Sequence, residues 1–132
     1  MSPFNRNAFL CLLLVLFITT MFSMVAEAVH VDVYNYLGQG LDVTVHCKSN
    51  SVDLGDHVIA NAVGQYGFDF DSNVSGNSIF SCTFQWPSAS QSFDLYKSER
   101  DKCQSCVWVV RSSGPCLQHT LIGANQECYP WN

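Results

Sequence analysis

Two sets of side chains in this sequence could do chemistry: six of its seven cysteines (Cys47, Cys82, Cys103, Cys106, Cys116 and Cys128), Cys11 lying in the apolar leader, and four histidines (His30, His46, His57 and His119). A cysteine can serve as a bridge, a metal ligand or a redox centre, and its spacing and compartment decide which. Zinc sites show two close ligand pairs, whereas here only Cys103 and Cys106 are closely spaced. A redox Cys-x-x-Cys works in a βαβ setting that the sequence does not offer. The even count therefore predicts three structural bridges, contributing about 2 to 4 kcal/mol each, with roughly 15 connectivities open. No metal, cofactor or redox role is expected of the cysteines.

The histidines match no catalytic or ligand motif. His-Glu-x-x-His, Gly-x-Ser-x-Gly and a glycine-rich phosphate loop are all missing, and His30 and His46 fall on the polar sides of alternating runs. They are read as solvent-facing. A dispersed triad is the competing reading, because triads are recognised by geometry rather than chain order. Asp53 and Asp56 could touch calcium, but two carboxylates fall short of the roughly 6 to 8 oxygens calcium takes. Asn73-Val74-Ser75 is an acceptor triplet for N-glycosylation in a turn. The aromatics Tyr66, Phe68, Phe70, Phe80, Phe84, Trp86, Phe93 and Trp108 could form a sugar platform, but their period-2 spacing assigns them to a core. Trp131, near the chain end, is the one aromatic expected at the surface.

Charge narrows the partners. The chain carries 6 Lys and Arg against 11 Asp and Glu, a formal charge of −5. Lys97, Arg100 and Lys102 cluster, but Glu99 and Asp101 interleave with them. Nucleic acid and anionic membranes call for an uncompensated basic face and are not expected.

The elements that must position these residues follow from periodicity. Arg6, an apolar run from Phe9 to Phe22 and the triplet Ala26-Glu27-Ala28 read as a cleaved export signal over residues 1–28, too short in its apolar part for a span of about 20 residues. Its removal discards Cys11 and leaves 104 of the 132 residues as one secreted, extracellular domain, 29–132. That domain breaks into short alternating runs separated by turn signals, which predicts an all-β fold, a small disulfide-stabilised antiparallel β-sandwich. Strands are expected at 29–36, 41–48, about Tyr66–Phe70, 79–86, 92–97, 106–111 and 116–122. Residues 49–56 read as a polar loop, 71–77 as a turn and 98–102 as a charged loop. The run from Cys106 to Arg111 is apolar on both faces, which suits a central strand.

The ordered set Val33-Tyr34-Asn35-Tyr36-Leu37, Leu41 to Ser49, Asp53-Leu54-Gly55, Phe68-Asp69-Phe70, Ile79 to Trp86, Phe93-Asp94-Leu95-Tyr96 and Cys103 to Trp108 resembles the plant self-incompatibility proteins, also called S-protein homologues. The resemblance spans almost all of 29–132. It implies a small secreted β-sandwich held by disulfides and without catalytic residues. Founding members of that family are pistil-secreted ligands perceived by a pollen membrane receptor, which triggers rejection of self pollen through calcium signalling. The family cysteines correspond to Cys47, Cys82, Cys103 and Cys106. Cys116 and Cys128 depart from that pattern, and their joint presence suggests a private bridge pinning the tail. Where the family carries a more acidic turn, this chain has Ser112-Ser113-Gly114-Pro115.

The functional expectation is thus a monomeric, non-enzymatic ligand for a cell-surface receptor. Its candidate contact loops are 50–56, 71–77 and 97–102, the last with Lys97, Glu99, Arg100, Asp101 and Lys102. The alternatives are a secreted hydrolase with a dispersed site and a cysteine-rich defence protein. Membrane-active defence proteins are generally basic, which counts against the latter.

Overall fold

The structure is a computed structural model that describes residues 5–22, 28–72, 78–119 and 125–132. The apolar leader forms one helix, α1 (Arg6–Phe22), whose side chains from Phe9 to Ile18 are exposed. No helix among the described residues is long and apolar enough to cross a membrane.

Among the described residues after the leader all is strand and connection: β1 (Ala28–Asn35), β2 (Val43–Lys48), β3 (Asp53–Ile59), β4 (Gln65–Asp71), β5 (Ile79–Trp86), β6 (Ala89–Lys97), β7 (Ser105–Arg111), β8 (Gly114–Gln118) and β9 (Gln126–Cys128). They form two sheets, in the orders β4-β1-β7-β8-β9 and β3-β2-β5-β6. Six of the seven ladders are antiparallel, and β1 runs parallel to β7. The first strand is thus inserted between β4 and β7, a pairing that no local hairpin signal announces.

The alternation read from the sequence becomes the core. Val29, Val31 and Val33 of β1 and Cys106, Trp108 and Val110 of β7 face Val43, Val45 and Cys47 of β2 and Phe80, Cys82, Phe84 and Trp86 of β5, all of them buried. Each large apolar side chain removed from water contributes about 1.5 to 3 kcal/mol. As its two apolar faces require, β7 is the middle strand of its sheet.

Three boundaries differ from the sequence reading. The loop expected over 49–56 is half strand, because β3 begins at Asp53 and is tied to β2 through a bulge between His46 and Lys48. Gly55, at φ 74°, supplies the left-handed residue this irregular stretch needs. The strand expected to start at Ser92 starts at Ala89, since Pro87 and Ser88 form a two-residue connection with Trp86 paired to Ala89. The tail carries its own short strand, β9, on the edge of β8, and residues 120–122 of the last expected strand lie outside the described residues.

The tail then closes the open side of the sandwich. The Tyr129 N–H donates to the Pro115 carbonyl at 3.0 Å and the Asn132 N–H to the Ser92 carbonyl at 3.2 Å, joining one sheet to the other. Trp131, expected at the surface, instead packs against the core, its ring 5.2 Å from Phe84 and 6.0 Å from Trp86. Its indole N–H donates to the Ser112 carbonyl at 3.0 Å. An amphipathic ring beside a gap between two sheets gains more by filling it than by facing water.

Candidate recognition surface

The described residues of the three candidate loops lie at one end of the sandwich. The register pairs Lys48 with both Asp53 and Ser81, Ile79 with Lys97, Ala28 with Asp71, and His30 with Ser105, so connections 49–52 and 98–104 and the flanking residues Ser72 and Ser78 lie at the same end. The Ser98 N–H donates to the Ser78 carbonyl at 3.0 Å, which ties two of these connections directly. At this end lies a cleft of about 500 Å³ bounded by the 49–52 turn, by Asp69, Phe70 and Asp71 of β4, and by Ser78, Ile79 and Phe80. Val52 and Ile79 are exposed there, at 46% and 45%. Hydroxyls, an amide, two carboxylates and the apolar side chains of Val52, Phe70, Ile79 and Phe80 line this concavity.

The frame behind this end is heavily cross-linked. Cys47 and Cys82 are direct cross-strand partners on β2 and β5 and are bridged, with Cα atoms 4.0 Å apart. Cys103 is bridged to Cys106 at the entry to β7. Cys116, on β8, is bridged to its partner Cys128 on β9. Cys11 in the leader helix is free and exposed. Asn73 and most of the 71–77 turn lie outside the described residues.

The charged loop is not the uniform contact patch that its sequence implied. Asp101 is 3% exposed and accepts hydrogen bonds from the Lys97 backbone N–H at 2.9 Å and from Arg100 Nε at 2.9 Å and Nη2 at 2.8 Å. Arg100 Nη2 also donates to the Asp94 carbonyl at 2.7 Å. The guanidinium sits over the rings of Phe93, Tyr129 and Trp108 at 4.9, 5.1 and 5.3 Å. A planar cation with five donors can serve all these partners at once, which an ammonium could not. Arg100 and Asp101 are therefore corrected from contact residues to the internal brace of their loop. Lys97, Glu99 and Lys102 remain on its outer side. Lys97 Nζ stands 3.9 Å from Asp94, and Lys102 Nζ donates to the Ser98 carbonyl at 3.2 Å.

Sequence reading missed two histidine clamps. On the outer face of the five-stranded sheet, His30 Nδ1 lies 2.6 Å from Asp69 and Nε2 lies 3.0 Å from Asp32. On the outer face of the other sheet, His46 Nε2 lies 2.5 Å from Asp53 and Nδ1 lies 2.8 Å from Asp56. A ring that donates from both nitrogens is an imidazolium, so the carboxylates raise both histidines above their ordinary 6.5, through Asp69 foremost for His30 and Asp53 foremost for His46. Asp53 is correspondingly lowered, chiefly because the Gly55 backbone N–H donates to it. The rings are solvent-facing as expected, yet each is held from two sides. Each holds a wall of the cleft: His46 fixes the strands flanking the 49–52 turn, and His30 fixes Asp69. The only sequence signal was the alternation that sets His30 and His46 outward. The partners follow from cross-strand register, which the sequence does not state.

Neither clamp resembles a catalytic dyad, since no serine, threonine or cysteine nucleophile is hydrogen-bonded to either ring. Among the described residues no group of three or more His, Cys, Asp and Glu side chains is arranged to hold a metal ion.

A two-sheet β-sandwich, stapled by three disulfides and carrying a shallow cleft at one end, defines the class of small cross-linked β-sandwich domains. The chain belongs to the plant self-incompatibility protein S1 family, whose family model matches residues 30–131. It is 38% identical to S-protein homolog 2 of Arabidopsis thaliana over 77% of this chain and 67% of that one. It is 39% identical to S-protein homolog 5 of the same plant, over 80% of this chain and 79% of the relative. S-protein homolog 20 aligns over nearly the full length, 97% of this chain and 96% of the relative, at 35% identity. A solved structure shares the fold with a TM-score of 0.60 and 14% identity, covering 81% of this chain and 96% of that one. That structure is described as an SPH (Self-Incompatibility Protein Homologue) protein, of a widespread family of small, highly stable, secreted proteins from plants.

Proposed function

We propose that this chain is exported and acts outside the cell as a non-catalytic protein ligand, read by a cell-surface receptor through the loop end of the sandwich. The observation that carries the proposal is the meeting of the 49–52 turn with the ends of β4 and β5 around one cleft, backed by the Cys47–Cys82 bridge between β2 and β5. Export is supported by the basic and apolar leader with its Ala26-Glu27-Ala28 triplet. Membership of a family whose structurally characterised relative is described as secreted supports it as well. A ligand whose loops are already held in place loses little freedom on binding, and that saving is the physical use of so many cross-links in a small domain.

The deciding experiment applies tagged, secreted protein to plant cells, with chemical cross-linking and competition by untagged protein. Saturable capture of one membrane protein is expected. Capture should weaken at least tenfold when Val52 and Ile79 are both changed to Asp, and not when exposed residues at the opposite end, such as Gln39, are changed. Non-saturable binding, or equal loss from both ends, would refute the reading. So would turnover of a substrate by the purified protein.

A further inference from the structure

The first residues of the sandwich form part of the cleft wall. Ala28 is the cross-strand partner of Asp71 and Val29 is that of Phe70, and Asp69, Phe70 and Asp71 all line the cleft. The His30 N–H donates to the Gln104 carbonyl at 2.8 Å, on the β7 side. Successive residues of a paired strand direct their N–H groups to opposite neighbours, so the Val29 nitrogen faces β4, toward Phe70. The Val29 side chain is 3% exposed and belongs to the core, whereas Ala28 is exposed.

We infer that hydrolysis of the Ala28–Val29 peptide bond plants a cation in the cleft wall, the Val29 α-ammonium, which pairs with the carboxylate of Asp71. Water adds across the amide and the C–N bond breaks. Ala28 leaves as a carboxylate on the released leader, and Val29 keeps its nitrogen as an ammonium. One N–H still points to the Phe70 carbonyl, and the protons gained are free for the neighbouring acid. Asp71 is that acid because the other carboxylate on this wall, Asp69, is already held by His30, which also holds Asp32. Among the described residues Asp71 takes part in no ion pair. The 49–52 turn and the residues of β5 that line the cleft carry no charge, and Lys97, opposite Ile79, is turned toward Asp94.

The consequence deepens the functional reading, resting on its secretory half alone. Maturation neutralises the one bare acid on this wall and ties the first core residue to β4. The finished cleft then offers a partner Ser49, Asn50, Ser51, Ser78, Val52 and Ile79, an uncharged polar and aliphatic surface. The precursor, with Val29 held in a peptide bond, lacks that charge balance.

The test expresses the full chain in plant cells and collects the medium. Intact mass is expected to show Val29 as the first residue. The α-amine pKa is then read from the pH dependence of its acylation by a limiting reagent, followed by peptide mapping. It is expected about half a unit or more above the usual ~7.7–8.0, equivalent to a threefold or greater preference for the ammonium. Asp71→Asn, on an exposed site, should return it to the usual value with circular dichroism unchanged, while Asp71→Glu should keep it raised. A different first residue, or an α-amine pKa unmoved by Asp71→Asn, overturns the inference. Retention of the chain in the cell overturns the secretory reading as well, and receptor capture enters none of these readouts.

Discussion

Replacing Asp101 with Ala should unfold the charged loop from within, although every neighbouring charge in the sequence looks like a surface residue. Asp101 accepts three hydrogen bonds between 2.8 and 2.9 Å, two from Arg100 and one from the Lys97 backbone. Charged hydrogen bonds are worth about 1.5 to 3 kcal/mol each, but they are not additive within one network. Removing one partner from a buried pair costs about 3 to 5 kcal/mol, because the other charge is stranded. Arg100 keeps its three aromatic rings and the Asp94 carbonyl, and its side chain is 21% exposed, so part of the stranded charge is relieved. The loss should therefore fall at the lower end, about 3 kcal/mol, or roughly 12 to 24 °C in melting temperature for a domain of this size. Urea and thermal unfolding of Asp101→Ala, Arg100→Ala and the double variant measure the loss and the coupling. Glu99→Ala and Lys102→Ala, on the outer side of the same loop, should stay within about 0.5 kcal/mol of the parent. A loss below 1 kcal/mol for Asp101→Ala, or an equal loss for Glu99→Ala, would refute the assignment of the brace.

Stability should depend on pH in a defined direction. His30 and His46 are raised above 6.5 in the folded chain, so the clamps contribute fully below that value and the contribution is lost as pH rises through the raised values. Asp53 is lowered below 3.8, so its contribution is present above that value and lost as pH falls through the lowered one. Melting temperature should peak between those limits, and His46→Gln should flatten its alkaline side; a parent that gains stability from pH 6 to pH 8 would contradict the clamps. Among the bridges, loop closure ranks Cys47–Cys82 first at about 4 kcal/mol, Cys116–Cys128 next at about 3 and Cys103–Cys106 last at under about 2, following their separations of 35, 12 and 3 residues. Paired Cys→Ser variants under denaturant check that order. Gly114 has φ 146°, and a Cβ there would overlap the Tyr129 carbonyl oxygen, so Gly114→Ala should displace the tail. A red-shifted tryptophan emission from Trp131 and a loss of at least about 1 kcal/mol are expected.

Much of this protein was legible without coordinates because burial in a sandwich imposes a period of two, and the sequence obeys it. Val29, Val31 and Val33, then Phe80, Cys82, Phe84 and Trp86, announce both a strand and its inward face. Turn residues mark the strand ends, and an even set of cysteines behind the leader marks a bridged domain. Pairing is a different kind of information. Nothing local says that β1 inserts in parallel beside β7, that Cys47 stands opposite Cys82, or that His46 lies across from Asp56, since each depends on which distant strands become neighbours. The same holds for charge: Arg100 and Asp101 read as loop ions until Phe93, Trp108 and Tyr129, from two separate strands and the tail, are folded around them. Local alternation decides which side of a strand is dry, whereas long-range register decides which polar groups meet, and the cleft end of this molecule is made by the second.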